Sequence, residues 1–241
     1  MASSDSSWMH VWVTVDAVSV DTCLDEAEAA AMARFTHERD RVRYGTAHSL
    51  KRRILAHHYL YEDPLRMQFG RGPNGKPRLL EHPLEFNLSH SEDAFALAVA
   101  NVPIGVDIQS RVAIADLVGV AQTAFHPAEL ALWRRLGSSS EMFFRLWTGK
   151  EAMVKAEGVG FRVDPREFDS SEGIGKSGMV AGPSRQWRLH HVDFPQFAAC
   201  VATPSDAGSV VSWFRIASRT SEDTVASERL LRPDCERLPV T

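Results

Sequence analysis

"EFNLSHSEDAFALAVANVPIGVDIQ", residues 85–109, holds three candidate strands in 25 residues. "FNLSH" reads as a short strand ending in polar Ser89 and His90, and "AFALAVAN" as an apolar strand of small residues. Val102 and Pro103 turn the chain, and "IGVDIQ" begins a third strand. Alternation puts Gly105, Asp107 and Gln109 on one face, opposite Val106 and Ile108. A carboxylate set this closely among β-branched residues needs a partner if it is buried, and a metal ion or an arginine would serve. An ordinary aspartate at a strand edge is the alternative.

Downstream, "FRLWTGKEAMVKAEGVGF" (residues 144–161) reads as a helix, with Leu146, Met153 and Val154 as apolar positions and Gly158 as its stop. Trp147, Glu151 and Lys155 recur every four residues and so share a face, with Lys150 beside them. That pattern is either a solvated ion pair or a working surface. Upstream, "WMHVWVTVDAV" (8–18) alternates as a strand, with Met9, Val11, Val13 and Val15 on one face and Trp8, His10, Trp12 and Thr14 on the other. Residues 25–35 and about 40–61 read as helices. The second carries or adjoins Arg39, Arg41, Arg43, Lys51, Arg52 and Arg53, a solvated basic face or an anion site. "FGRGPNGKPRL" (69–79) reads as successive turns without regular structure. Its backbone N–H groups could meet a phosphate beside Lys76 and Arg78, although it matches no Walker or dinucleotide fingerprint. Further helices are expected near 114–123 and from Pro127, and strands near 186–192, 197–202 and 210–216. A polar tail follows from about residue 218, expected to be poorly ordered or loosely docked.

The 241 residues are 44% apolar with a formal net charge of −4, enough for one large core or two small ones. That charge argues against a general nucleic-acid binder. No apolar run has bilayer length and no secretory signal is legible, so no membrane is expected. Cys23, Cys200 and Cys235 lie far apart and suit a reducing cytoplasm. Two carboxylates in separate segments, a Ser-His pair after a strand and scattered cations fit a Mg²⁺-dependent site for a phosphorylated ligand, and several reaction classes remain open.

"IGVDIQ", followed some forty residues later by "FFRLWTGKEAMVKAEGVGF", resembles the paired signature of the Sfp-type 4'-phosphopantetheinyl transferases, G-V/I-D-I and then W-x-x-K-E-x-x-x-K. "GKP" (75–77) and "FNLSH" (86–90) are similar to two further family motifs in the family's order, so the likeness spans roughly residues 8–202. The resemblance implies an α/β (α+β) fold of two similar halves related by a pseudo-twofold, each a three-stranded antiparallel sheet with helices and with the ligand in the cleft between. Here those halves would be 1–103 and 104–217, with 218–241 as the tail. It implies transfer of the phosphopantetheine arm of coenzyme A to a serine of an acyl or peptidyl carrier protein, releasing 3',5'-adenosine bisphosphate.

By the same resemblance, Asp107 and Glu151 would bind Mg²⁺ with the pyrophosphate. Ser89 and His90 would contact phosphates. Gly75, Lys76, Pro77 and Arg78 would lie along the adenosine, and Arg43 would meet the 3'-phosphate. Lys150 and Lys155 would flank the phosphoryl group, with Trp147 packing the base of the helix. Glu151 is the family's candidate base, and a water beside it is an equal alternative, because a metal-bound carboxylate is a weaker base. Where many members have glutamate two residues after the strand aspartate, this chain has Gln109, so that either Gln109 ligates weakly or water fills the position. Its first helix, "DEAEAAAMARF", lacks the lysines that some members turn to the 3'-phosphate, so that recognition is expected to shift to Arg43 and its neighbours. An acidic carrier helix would dock on the basic residues of the long helix, Arg52 and Arg53 among them, or on an apolar patch near Phe125 and Trp133, and a monomer is expected. A non-catalytic binding module, favoured by Gln109, and an unrelated Mg²⁺ phosphohydrolase are the rival readings.

Overall fold

A computed structural model describes residues 7–18, 20–159, 164–174, 178–208 and 210–216. The expected tail, and Cys235 with it, lie outside the described residues. The chain runs β1 (Met9–Thr14), α1 (Glu26–Met32), α2 (Glu38–Leu55), β2 (Phe69–Arg71), β3 (Pro77–Leu79), β4 (Glu85–Ser91), β5 (Ala94–Ala100) and β6 (Gly105–Ser110). It continues through α3 (Leu117–Ala124), α4 (Pro127–Arg135), α5 (Ser140–Glu157), β7 (Met179–Ala181), β8 (Gln186–Asp193), β9 (Phe197–Pro204) and β10 (Ser212–Arg215).

The architecture is mixed α/β, as expected, but its sheets differ from the expected three strands each. One is four-stranded in the order β10-β1-β5-β4, the other four-stranded in the order β6-β9-β8-β7. The short β7 was not legible, and β10 leaves its sequence neighbours to pair in parallel with β1. The glycine-rich stretch read as turns is a small β2–β3 hairpin, with Phe69 opposite Leu79 and Gly75 at φ 88° in its turn. Glycine populates that left-handed region without a Cβ penalty, so the loop can close tightly enough for its flanks to pair.

Alternation explains which residues are inside. Met9, Val11 and Val13 join Ala94, Ala96, Ala98 and Ala100 of β5, Val106 and Ile108 of β6, and Ala199 and Val201 of β9 in one core. The opposite face, with Trp12, Phe95, Leu97 and Val99, packs on Leu50, Ile54 and Leu55 of α2. Strand β5 is buried at every position, which is why it reads as an uninterrupted run of small apolar residues. The helix expected over 40–61 is α2 continued by a π-turn at Ala56–Leu60, and it stops where Tyr61 turns left-handed. No helix among the described residues is long and apolar enough to cross a membrane.

The two sheets meet along the edge strands β4 and β6, joined by side chains. Asn87 Oδ1, Ser89 Oγ and Ser91 Oγ accept from the backbone N–H groups of Val106, Ile108 and Ser110 at 2.9, 3.3 and 3.0 Å. The constant offset of 19 residues means that β4 and β6 run in the same direction along this seam. Polar residues on alternate positions of β4 thus satisfy an edge that no backbone ladder reaches.

Helix α5 lies across β6. A Cβ on Gly105 would come within 2.1 Å of the Ala152 carbonyl oxygen and 2.4 Å of the Ala156 nitrogen. Both obstacles are backbone, so neither can swing aside. Gly105→Ala is therefore expected to cost about 2–3 kcal/mol or more through overpacking. Urea unfolding checks this, and a midpoint unchanged from the parent would remove the close approach from the account.

Strand β8 carries a second expectation. Burial holds His190 down at about 4, with Arg188 assisting, and His191 at about 3, with Arg145 assisting, against an ordinary 6.5. The unfolded chain takes up these protons below pH 6.5 and the folded chain does not, so stability is present above 6.5 and lost as the pH falls through 6.5 toward 3. The slope is at most about 1.4 kcal/mol per pH unit per histidine. Denaturation at pH 7, 6 and 5 should show the fall, and His191→Gln should flatten it.

Candidate active site

Packing α5 on β6 brings the Trp147–Glu151–Lys155 stripe against Asp107. Asp107 is 1% exposed. Its Oδ1 accepts from Lys155 Nζ at 2.6 Å and from Ser89 Oγ at 2.8 Å, and Lys155 Nζ also reaches Ser89 Oγ at 3.0 Å. Gln109 Nε2 donates to Asp107 Oδ2 at 3.3 Å. The partner that the buried carboxylate needed is therefore a lysine from the helix, rather than an arginine. Glu151, half-buried, faces the same centre. Burial first and the Asp107 charge second push its carboxyl up, against the pull of Lys155 and Lys150. Trp147 stacks on Phe143 (centroids 6.0 Å apart, 16° between planes) and lines a cleft of about 230 Å³ with Gln109, Ser91 and Phe144.

A 4'-phosphopantetheinyl transferase superfamily sequence model matches residues 103–202, which run from the start of β6 through α5 to β9. Over 174 residues the chain is 30% identical to slr0495 of Synechocystis sp., a protein provisionally named as a 4'-phosphopantetheinyl transferase. That alignment covers 69% of this chain and 70% of the relative. The chain belongs to this family. It is also 37% identical over 145 residues to the 4'-phosphopantetheinyl transferase HetI of Nostoc sp., across 57% of this chain and 60% of HetI. To the 4'-phosphopantetheinyl transferase Sfp of Bacillus subtilis it is 30% identical over 138 residues, across 56% of this chain and 60% of Sfp.

The family's motif residues divide into two groups here. Ser89, Asp107, Gln109, Glu151 and Lys155 converge on one centre. His90 is at the mouth of that centre and lines a pocket of about 440 Å³ together with Pro77, Tyr44, His48, Lys51, Arg71 and Phe86. Crowding by protein first, and then the charges of His48, Lys155 and Arg43, lower the His90 pKa and favour its neutral ring. Arg78 is exposed on β3, paired in register with Gly70. Arg43 lines an adjoining recess of about 110 Å³ with His90, where it pairs with Glu92.

Two lysines read as phosphate contacts are engaged elsewhere. Lys150 is 2% exposed and points away from Glu151's centre. Its Nζ donates to the carbonyls of Pro165 and Phe168 at 2.5 and 2.6 Å and pairs with Glu129 at 2.8 Å. Glu129, 0% exposed, also accepts from the Ser170 backbone N–H and hydroxyl and caps α4 through His126 N. Lys150 is one residue from Glu151, and about 100° of helix rotation separates the two. Lys76 donates to the Ile104 and Ala156 carbonyls at 3.1 and 3.3 Å and to Glu85 at 3.2 Å, so its charge sits at the C-terminal end of α5.

The expected docking residues also move. Arg52 is 0% exposed and bound to Glu28 and Asp25, while Phe125 and Trp133 are 2% and 0% exposed within the α4–α5 core. None of these three offers a docking surface. Sequence periodicity could not have revealed the Lys150–Glu129 node or the Arg52–Glu28 pair, because in each the partner sits on another helix.

The donor set fits Mg²⁺. Among the described residues there is no group of three or more His, Cys, Asp and Glu able to hold a metal. Mg²⁺, however, takes only one or two protein carboxylates and completes its shell with phosphate oxygens and water. Asp107 and Glu151 supply two carboxylates whose mutual repulsion a divalent cation would relieve.

Proposed function

We propose that this protein transfers the 4'-phosphopantetheine arm of coenzyme A to a serine of an apo acyl or peptidyl carrier protein, giving holo carrier protein and 3',5'-adenosine bisphosphate. The observation that carries this reading is Lys155, whose Nζ touches both Asp107 and Ser89 while Glu151 stands one helical turn before it. Asp107 and Glu151, with Gln109 as a neutral third donor, would hold Mg²⁺. Once bound, Mg²⁺ would neutralise charge on the pyrophosphate.

The chain's own groups supply the rest. Lys155 and the Ser89 hydroxyl orient the phosphoryl oxygens, and Lys155 offsets the charge that builds on them as the serine oxygen attacks. The same lysine pairs with Asp107 and fixes its rotamer. The serine proton passes to Glu151 or to a water beside it, because a carboxylate that also holds Mg²⁺ is a weaker base than a free one. The 440 Å³ pocket beside His90 is of a size and lining, with Tyr44, Phe69 and Phe86, to take the adenosine end. We place the reaction in the cytoplasm and the protein as a monomer. The buried, unpaired thiols of Cys23 and Cys200 support a reducing compartment.

Intact mass spectrometry of an apo carrier protein incubated with this protein, coenzyme A and Mg²⁺ tests the reading. A gain of one phosphopantetheine arm, absent with Glu151→Ala, is expected. No gain across several carrier types with coenzyme A still bound would favour a binding module, and phosphate release without a carrier would favour a phosphohydrolase.

A further inference from the structure

The walls of the 440 Å³ pocket carry cations, and acidic side chains already hold all of the buried ones. Glu28 projects from α1 into this wall, where its Oε1 pairs with Lys51 Nζ and with His48 Nδ1, the latter at 3.0 Å. Its Oε2 accepts from Arg52 Nε at 2.5 Å, and Arg52 also pairs with Asp25. Two cations and two carboxylates thus cancel. In the adjoining recess Arg43 is bound by Glu92, with Asp40 and Asp93 at 3.8 and 3.9 Å, and Arg39 shares Glu92. Burial first keeps the His48 ring toward neutrality. Arg71 lines the pocket but is exposed, with Nη1 donating to the Gly75 carbonyl at 3.2 Å.

A dianionic phosphate entering this wall would meet a carboxylate that already occupies the cations. We propose that Glu28 fills, from within the protein, the place of a 3'-phosphate, so that coenzyme A lacking its 3'-phosphate serves as a donor nearly as well as coenzyme A. This rests on the transferase reading. In the reaction the carrier serine oxygen bonds to the β-phosphorus and the bond from that phosphorus to the bridging oxygen breaks. The serine proton passes to Glu151 or water. The leaving group is 5'-adenosine monophosphate in place of the 3',5'-bisphosphate.

The test is kcat/KM for the two donors with one apo carrier protein, read by intact mass and nucleotide release. The expected ratio is below about tenfold, because one exposed, solvent-screened cation discriminates weakly. A loss of about a hundredfold or more for the dephosphorylated donor, the scale of a buried charge-assisted contact, would overturn the proposal and leave the transferase reading intact. Glu28→Gln frees Lys51 and is expected to shift preference toward coenzyme A by about tenfold. A folded variant with no shift would remove Glu28 as the determinant. If that variant does not fold, the two donors with the parent protein still decide. If neither donor transfers, the transferase reading fails, and calorimetric titration with 5'-adenosine monophosphate and the 3',5'-bisphosphate decides the pocket alone. Affinities within about tenfold support it, and a bisphosphate about a hundredfold tighter overturns it.

Discussion

Lys155→Ala is expected to lower kcat/KM for carrier modification by about 10²–10³-fold, the usual cost of removing one preorganised charge from a transition state. The geometry makes the loss double. Lys155 Nζ is the cation on Asp107 Oδ1 and also the donor to Ser89 Oγ, so the alanine variant strands a buried carboxylate and frees a hydroxyl that had been oriented. Lys155→Arg keeps the charge but not the point geometry, and should recover only part of the rate. Lys155→Ala combined with Asp107→Asn should cost much less than the product of the two single losses, because the groups act as a unit. Single-turnover rates by intact mass measure all of these. A Lys155→Ala loss below about fivefold would take this lysine out of the phosphoryl centre, since it is far under the cost of such a charge.

Lys150→Met should behave in the opposite way, with a large loss of stability and a small change in chemistry. Removing one partner of a buried ion pair costs about 3–5 kcal/mol, because the remaining charge is uncompensated. Here Glu129 would be left buried without its cation, and the carbonyls of Pro165 and Phe168 would lose their donor. Urea unfolding should show the drop, while KM for coenzyme A in the folded fraction stays near the parent value. Adding Glu129→Leu, which removes the stranded charge, should restore part of the stability. A Lys150→Met protein of parental stability with a sharply raised KM would return Lys150 to the phosphate.

These two lysines mark what was readable from residues alone. The period of a strand put Asp107 and Gln109 on one face, and the period of a helix put Glu151 and Lys155 on another, so their convergence needed only that the two elements pack. Gly105 permits that packing, and its reason is a clash with backbone on a helix some fifty residues away. Lys150, in contrast, is adjacent in sequence and on another side of the helix, and its role depends on Glu129 from α4. The basic stripe of α2 misled for a similar reason. Arg52 looked like surface until Glu28 of α1 and the Asp25 that caps it folded over it. Short-range spacing encodes facing, whereas charge pairing between elements is decided by a topology that spacing does not contain. Strand β10 is the fold-level case: its apolar pattern was visible, its address was not.

That address has a consequence during synthesis. The Arg215–Asp16 ion pair beside the β10–β1 ladder spans 199 residues. At about 5–20 residues per second, a ribosome that has finished β1 needs roughly 10–40 s to deliver its parallel neighbour. Throughout that interval one side of β1 presents open N–H and C=O groups, the template on which a foreign strand can grow. Expression in a host that translates slowly therefore lengthens the interval in which that side of β1 stays open to strand addition.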